Sequence, residues 1–200
     1  DHNLISDNGD FAVGSRNNIQ NFTHNIIADG LTYFDGVELK EPVTNNVFSG
    51  GLTGALEYDQ ADADFSKNVI LNSPGGGYYD QLKIYGDNNI QGSQTSFSKN
   101  LFSGSSSGYY LWLGEQWSGQ EFISTTQNNI INDDGFYMKA GTENSSVENN
   151  WWGTTTESEI QDLVYDWNDD ASLGFLDYDP YLTTPDTAAP LSPPKNVVKQ

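Results

Sequence analysis

The chain has no cysteine, one arginine, two histidines and one methionine among its 200 residues. Without thiols it can form neither a disulfide framework nor a thiolate metal site. His2 and His24 are too few and too far apart to hold zinc. Positive charge is scarce, with 8 Lys plus Arg against 28 Asp plus Glu and a net charge of −20. Such a field repels nucleic acid and anionic lipid and favours cations or neutral partners, and it also suits a salt-tolerant extracellular surface. No apolar run approaches the roughly 20 residues that span a bilayer, and no signal peptide stands at the start. Helical periodicity is missing before residue 154. The chain opens in mid-pattern at Asp1-His2-Asn3, without a capping element, which reads as a piece of a longer protein. Abundant Asn, Gly, Ser, Asp and aromatics with no cysteine fit a bacterial exported protein.

What the chain does have is a recurring phrase, an asparagine followed by two apolar residues. It reads Asn3-Leu4-Ile5, Asn25-Ile26-Ile27, Asn46-Val47-Phe48, Asn68-Val69-Ile70, Asn100-Leu101-Phe102, Asn129-Ile130-Ile131 and Asn150-Trp151-Trp152, with a weaker copy at Asn89-Ile90. Most intervals are 21 or 22 residues. A fixed period of this size predicts a solenoid in which each repeat buries its apolar face against its neighbours. Between the asparagines lie short β-branched and aromatic runs broken by Gly, Asn, Asp and Ser, such as Leu31-Thr32-Tyr33-Phe34 and Tyr109-Tyr110-Leu111-Trp112-Leu113. Three short strands and three turns consume one repeat, so each repeat makes one coil, stacked on the next at about 4.8 Å. The asparagine side chains are expected to bond backbone groups of adjacent coils. A leucine-rich repeat shares this period, but it places leucines before each asparagine, and none sits in that frame here.

The stacked asparagine with its aliphatic pair resembles the repeat of right-handed parallel β-helix proteins of secreted bacterial type. Residues Asn18 to Ile27 and Ser145 to Gly153 match that pattern best, and the resemblance covers roughly residues 1–184. It implies an all-β fold, a right-handed parallel β-helix of about seven coils, and implies no particular activity. Longer steps, 32 residues from Asn68 to Asn100 and 29 from Asn100 to Asn129, mark insertions that bulge as loops on one face.

After Gly153 the pattern changes. Thr156 followed by Glu159 predicts a capping box, and Ile160, Leu163, Val164 and Trp167 predict one apolar stripe on a helix of about three turns ending at Asn168-Asp169-Asp170. The run Leu173 to Leu182 reads as a final strand that Pro180 keeps from being extended. This W-G-T, acidic helix and Y-x-P-x-L order resembles the C-terminal closure of secreted β-helix proteins. The expected organisation is therefore coils over residues 1–153, a cap over 154–184 and a Pro-rich linker over 185–200. The last residues, Pro193 to Val198, resemble the lead-in to a fibronectin type III domain.

Several residues could carry chemistry. Asp133-Asp134 after Ile131-Asn132 reads first as a polar turn and only secondarily as the acid pair of a glycosidase; the N-T-D, H-G and R-I-K motifs of polygalacturonases are missing. A polysaccharide lyase needs a Lys or Arg base, commonly with calcium. Lys83 and Lys139 lie in strand-like runs and could face a groove, whereas Lys67 and Lys99 precede ladder asparagines as solvated caps. Asp59, Asp62 and Asp64 form an alternating-acid loop that could take calcium or be solvated, as could Asp7-Asn8-Gly9-Asp10. The aromatic pattern is more distinctive. If Leu111 and Leu113 face inward, Tyr110 and Trp112 face outward, and Tyr137 and Lys139 alternate likewise with Phe136, Met138 and Ala140. Tyr58 and Tyr79 fall in similar places on earlier coils. Tyr110, Trp112 and Tyr137, with Trp117 from the inserted loop, could form a platform for sugar rings, or could cap a broad core.

Three functions stay open on the sequence: a secreted or cell-surface module that binds a polysaccharide or glycan or acts as a rigid spacer, a calcium-assisted polysaccharide lyase or glycoside hydrolase, and a structural adhesin stalk. Expected partners are glycans and flanking domains of the same polypeptide, with neither nucleic acid nor a transmembrane segment.

Overall fold

A computed structural model describes residues 3–5, 11–13, 22–28, 32–39, 42–50, 52–58, 64–71, 82–86, 95–104, 111–113, 123–131 and 138–192. The fold is all-β, with parallel sheets and, among the described residues, one short helix. The first sheet holds Leu4–Ile5, Ile26–Ile27, Val47–Phe48, Val69–Leu71, Leu101–Ser103 and Asn129–Ile130 in that order. The second runs Phe11–Val13, Thr32–Leu39, Leu52–Tyr58, Leu82–Gly86, Leu111–Leu113, Met138–Ala140 and Val164–Tyr165. The third runs Phe22–Thr23, Val43–Thr44, Asp64–Ser66, Thr95–Ser98 and Ile123–Thr126. The chain visits the three sheets in rotation, so strands adjacent in a sheet are one repeat apart in sequence.

The corner between the third and first sheets explains the repeat. Backbone N–H and Nδ2 of Asn25 both donate to Oδ1 of Asn46, at 2.9 and 3.0 Å. The same double bond links Asn3 to Asn25, Asn46 to Asn68, Asn68 to Asn100, Asn100 to Asn128 and Asn128 to Asn150. From Asn46 onward, Nδ2 also donates to a third-sheet carbonyl, and that of Asn150 donates in addition to the Val147 carbonyl. These asparagines, Asn25 to Asn150, are almost wholly buried, which is tolerable because their amides are paired in this way. Two sequence expectations are corrected here. The rung after Asn100 is Asn128, and Asn129 takes the place of an apolar residue opposite Leu101. Asn89 is not a rung, because Asn68 bonds directly to Asn100 and Val69 pairs with Leu101.

The residue before each buried rung has a left-handed backbone: His24, Asn45, Lys67, Lys99, Gln127 and Asn149 all lie at φ of 56–58°. This sharp turn lets Phe65 on one side of the corner and Ile70 on the other both point inward. Inward columns therefore run through Phe22, Val43, Phe65 and Phe97 and through Ile27, Phe48, Ile70, Phe102 and Ile130. The Phe65 and Phe97 rings stack 4.9 Å apart, a geometry that adds to their burial. The first residue after each asparagine points the other way. Val47, Val69 and Leu101, with Leu71, form a second apolar cluster that Ile26 joins, and Leu4 at its end is exposed.

The cap differs from the expected three-turn helix. The helix covers only Glu157–Gln161, and Val164–Tyr165 pairs in parallel with Met138–Ala140. Ile160, Leu163 and Val164 of the expected stripe are buried and Trp167 is exposed; a β-branched and aromatic pair next to an open strand gains more from the ladder than from another helical turn. Nor does a capping box form, since Thr156 makes no side-chain cap bond. Glu159 instead bonds the hydroxyl of Thr154, whose oxygen accepts the Thr156 N–H. Leu176–Asp177 pairs with Ser145–Ser146, within the run expected as a final strand. Asp186 and Pro190, in the stretch expected as a linker, are tied to Asn129: its Nδ2 donates to both carbonyls and its Oδ1 accepts the Asp186 N–H. Among the described residues no helix is long and apolar enough to cross a membrane.

Candidate functional site

The outward face of the second sheet gathers the chemistry. Leu111, Leu113, Met138 and Ala140 are buried, so the intervening Trp112 and Lys139 project outward and are half-buried. Strand register then fixes their neighbours. Lys83 lies opposite Trp112, Trp112 opposite Lys139, and Lys139 opposite Tyr165. The Lys139 ammonium sits 4.5 Å from the Trp112 ring centroid and 5.7 Å from that of Tyr165. Both lie within the range where a ring's negative face attracts a cation, which at a partly wet site stabilises by roughly 0.5–2 kcal/mol.

Partial burial lowers the Lys139 pKa from its usual value, and the negative charge of Asp170 opposes that shift. Asp170 is itself held below the usual carboxylate range, chiefly by Ser172, whose backbone N–H and hydroxyl donate to Oδ1 at 3.0 and 2.8 Å. The column is thus an alternation of aromatic ring, cation and aromatic ring, with a fixed carboxylate at one side. It can pack against the C–H face of a sugar and donate hydrogen bonds from the ammonium. One face of Trp112 is already taken by Lys139, so the bare aromatic stack expected from the sequence is a mixed one.

Other expected residues fall elsewhere. Tyr110, Trp117, Tyr137, Asp133, Asp134, Asp59, Asp62 and Tyr79 lie outside the described residues, as does the stretch from Asp7 to Asp10. Of Lys83 and Tyr58 only the strand positions are described. Asp64 opens a third-sheet strand and its Oδ2 accepts the Ser66 hydroxyl at 2.7 Å. Among the described residues no group of three His, Asp or Glu is arranged to hold a metal. Lys67 and Lys99 stand at the left-handed corners, one repeat apart and between strands of the third and first sheets, whereas Trp112 lies in the second. Tyr165 and Asp170 were missed in the sequence because both were placed in or at the end of a helix; read as a strand, Val164-in and Tyr165-out would have shown the ring.

Comparison with protein-family models, curated proteins and solved structures found no match.

Proposed function

We propose that the three parallel sheets are the faces of a right-handed parallel β-helix, and that it serves as a rigid module of a larger bacterial protein that is exported or held at the cell surface. Its second-sheet face binds carbohydrate around Trp112, Lys139 and Tyr165. The observation that carries this reading is the register column that sets a half-buried ammonium between two aromatic rings. A sugar ring packs on the apolar surface of Trp112 and Tyr165 while its hydroxyls accept from Lys139. The buried asparagine rungs supply the stiffness that keeps the groups in place.

A glycan array probed with the intact chain and with Trp112→Ala and Tyr165→Ala tests the proposal. Binding that drops tenfold or more in either variant, with the thermal midpoint little changed, is the expected result. A chain that retains no glycan, or variants that bind as well as the parent, would remove the carbohydrate reading and leave only the spacer.

A further inference from the structure

A second feature lies in the loop that follows Tyr165. Trp167 and Phe175 are 47 % and 42 % exposed, and their rings contact each other at 5.0 Å between centroids with a 33° tilt. Two large rings in contact and open to water are uncommon on a well-packed small domain unless they meet something. Their placement is built. Asp166 is buried, and its carboxylate accepts the backbone N–H of Asn168 at 2.9 Å and of Leu176 at 3.1 Å, which clamps the segments carrying both rings. The Trp167 N–H donates to the Gly174 carbonyl, and the Phe175 N–H donates to Oδ1 of Asn144. Gly174 lies so close to the backbone of Glu143 that a Cβ there would overlap its carbonyl, so only glycine lets the Phe175 segment approach.

The residues on either side of Trp167, Asp166 and Asn168, line an open cavity of about 370 Å³. Gln161, Asp162, Asp169 and Tyr178 line it too. Gln161 donates from Nε2 to the Tyr178 oxygen at 3.1 Å, so the phenol keeps its own proton for an incoming acceptor. The cavity therefore offers amide and phenol donors and carboxylate acceptors, a mixture suited to vicinal hydroxyls. Its volume is within the range of small-ligand sites.

We infer that the cap loop from Asp166 to Phe175 forms a second binding site, for an uncharged sugar ring, with Trp167 and Phe175 as the apolar contact and the adjoining cavity as the polar one. The charge decides the class. Asp162, Asp166 and Asp169 line the cavity, so a uronate carboxylate meets repulsion there. This site does not rest on the Trp112 column.

The test uses the whole chain, titrated by calorimetry with a panel of neutral oligosaccharides (gluco-, xylo- and manno-oligomers) and with oligogalacturonate. Trp167→Ala, Phe175→Ala and Trp112→Ala are compared, with Tyr178→Phe as a variant that keeps the ring. The expectation is that a neutral oligosaccharide binds at least tenfold more tightly than oligogalacturonate. Trp167→Ala and Phe175→Ala should each weaken it tenfold or more, Tyr178→Phe should weaken it by a smaller factor, and Trp112→Ala should leave these losses in place. Both aromatic side chains are exposed, so their removal should leave the melting midpoint near that of the parent. No neutral sugar bound, equal affinity for the uronate, or full affinity in Trp167→Ala would each overturn the cap site. Losses confined to Trp112→Ala would sink it while leaving the second-sheet reading intact.

Discussion

Six residues at φ near +57° carry the turn in front of the buried rungs, and three of them, Lys67, Lys99 and Gln127, are types that rarely take that conformation. An L-residue there is strained by roughly 1–2 kcal/mol, a cost the doubly bonded asparagine beside it offsets. Lys67 is exposed, so its side chain contributes little beyond its backbone preference. Lys67→Val should therefore lower stability by about 1 kcal/mol or more through the crowding of a branched Cβ. Lys67→Gly should stay within about 0.5 kcal/mol of the parent, because relief of strain and the greater freedom of the unfolded chain nearly cancel. Urea unfolding midpoints measure both, and equal midpoints for the two variants would show that the corner is not strained. The asparagines themselves were legible in the sequence by their period. The left-handed residue was not, since among the six only His24, Asn45 and Asn149 are of types enriched in it. The one-residue slip at Asn128-Asn129 has a related cause: two adjacent asparagines look alike until hydrogen bonding selects one.

At the scale of elements, the inward strands were readable because Phe and Ile recur in front of and behind each rung, whereas the cap helix was misjudged in length. Ile160, Leu163 and Val164 satisfy a helical stripe, yet Met138 N–H donates to the Leu163 carbonyl at 2.8 Å and draws the chain into the second sheet. Periodicity over eight residues cannot distinguish these outcomes, because the strand that needs a partner is distant in sequence. The same limit hid Trp167, expected inside and found outside. The segment from Asp186 to Pro190 likewise carries no sequence signal for packing, and three bonds to Asn129 hold it. Each such bond contributes about 1 kcal/mol net. Asn129→Ala should therefore release that segment and speed its cleavage in limited proteolysis by roughly tenfold or more, with the parallel sheets left intact. Unchanged cleavage would place the anchoring elsewhere, for example in the buried Ala189.

Over the whole molecule, 28 acidic groups face 8 basic ones, and their mutual repulsion opposes folding. Raising sodium chloride from about 0.01 to 0.3 M shortens the screening length from roughly 30 Å to under 10 Å, so the melting midpoint should rise by several degrees. Calcium chloride matched for ionic strength should do no more than this unless a site exists in the stretch that includes Asp59, Asp62 and Asp64, in which case the midpoint climbs further and a chelator reverses it. A midpoint indifferent to sodium chloride would mean that the negative groups are already compensated. The charge imbalance was fully visible in composition. The candidate site was visible only in part: alternation pointed to Trp112 and Lys139 as outward residues, but their contact depends on the pairing of two strands that the sequence alone does not register.

The rungs also bear on how such a chain can change over evolutionary time. Successive rungs are separated by 22, 21, 22, 32, 28 and 22 residues, yet the six-residue unit from Phe65 to Ile70 recurs with the same geometry on either side of the long intervals. Length variation is confined to the remainder of each turn, downstream of the asparagine and its apolar pair. Added or deleted segments there need not shift any strand against its neighbour, so the chain can acquire new surface loops while its spine keeps its pairing.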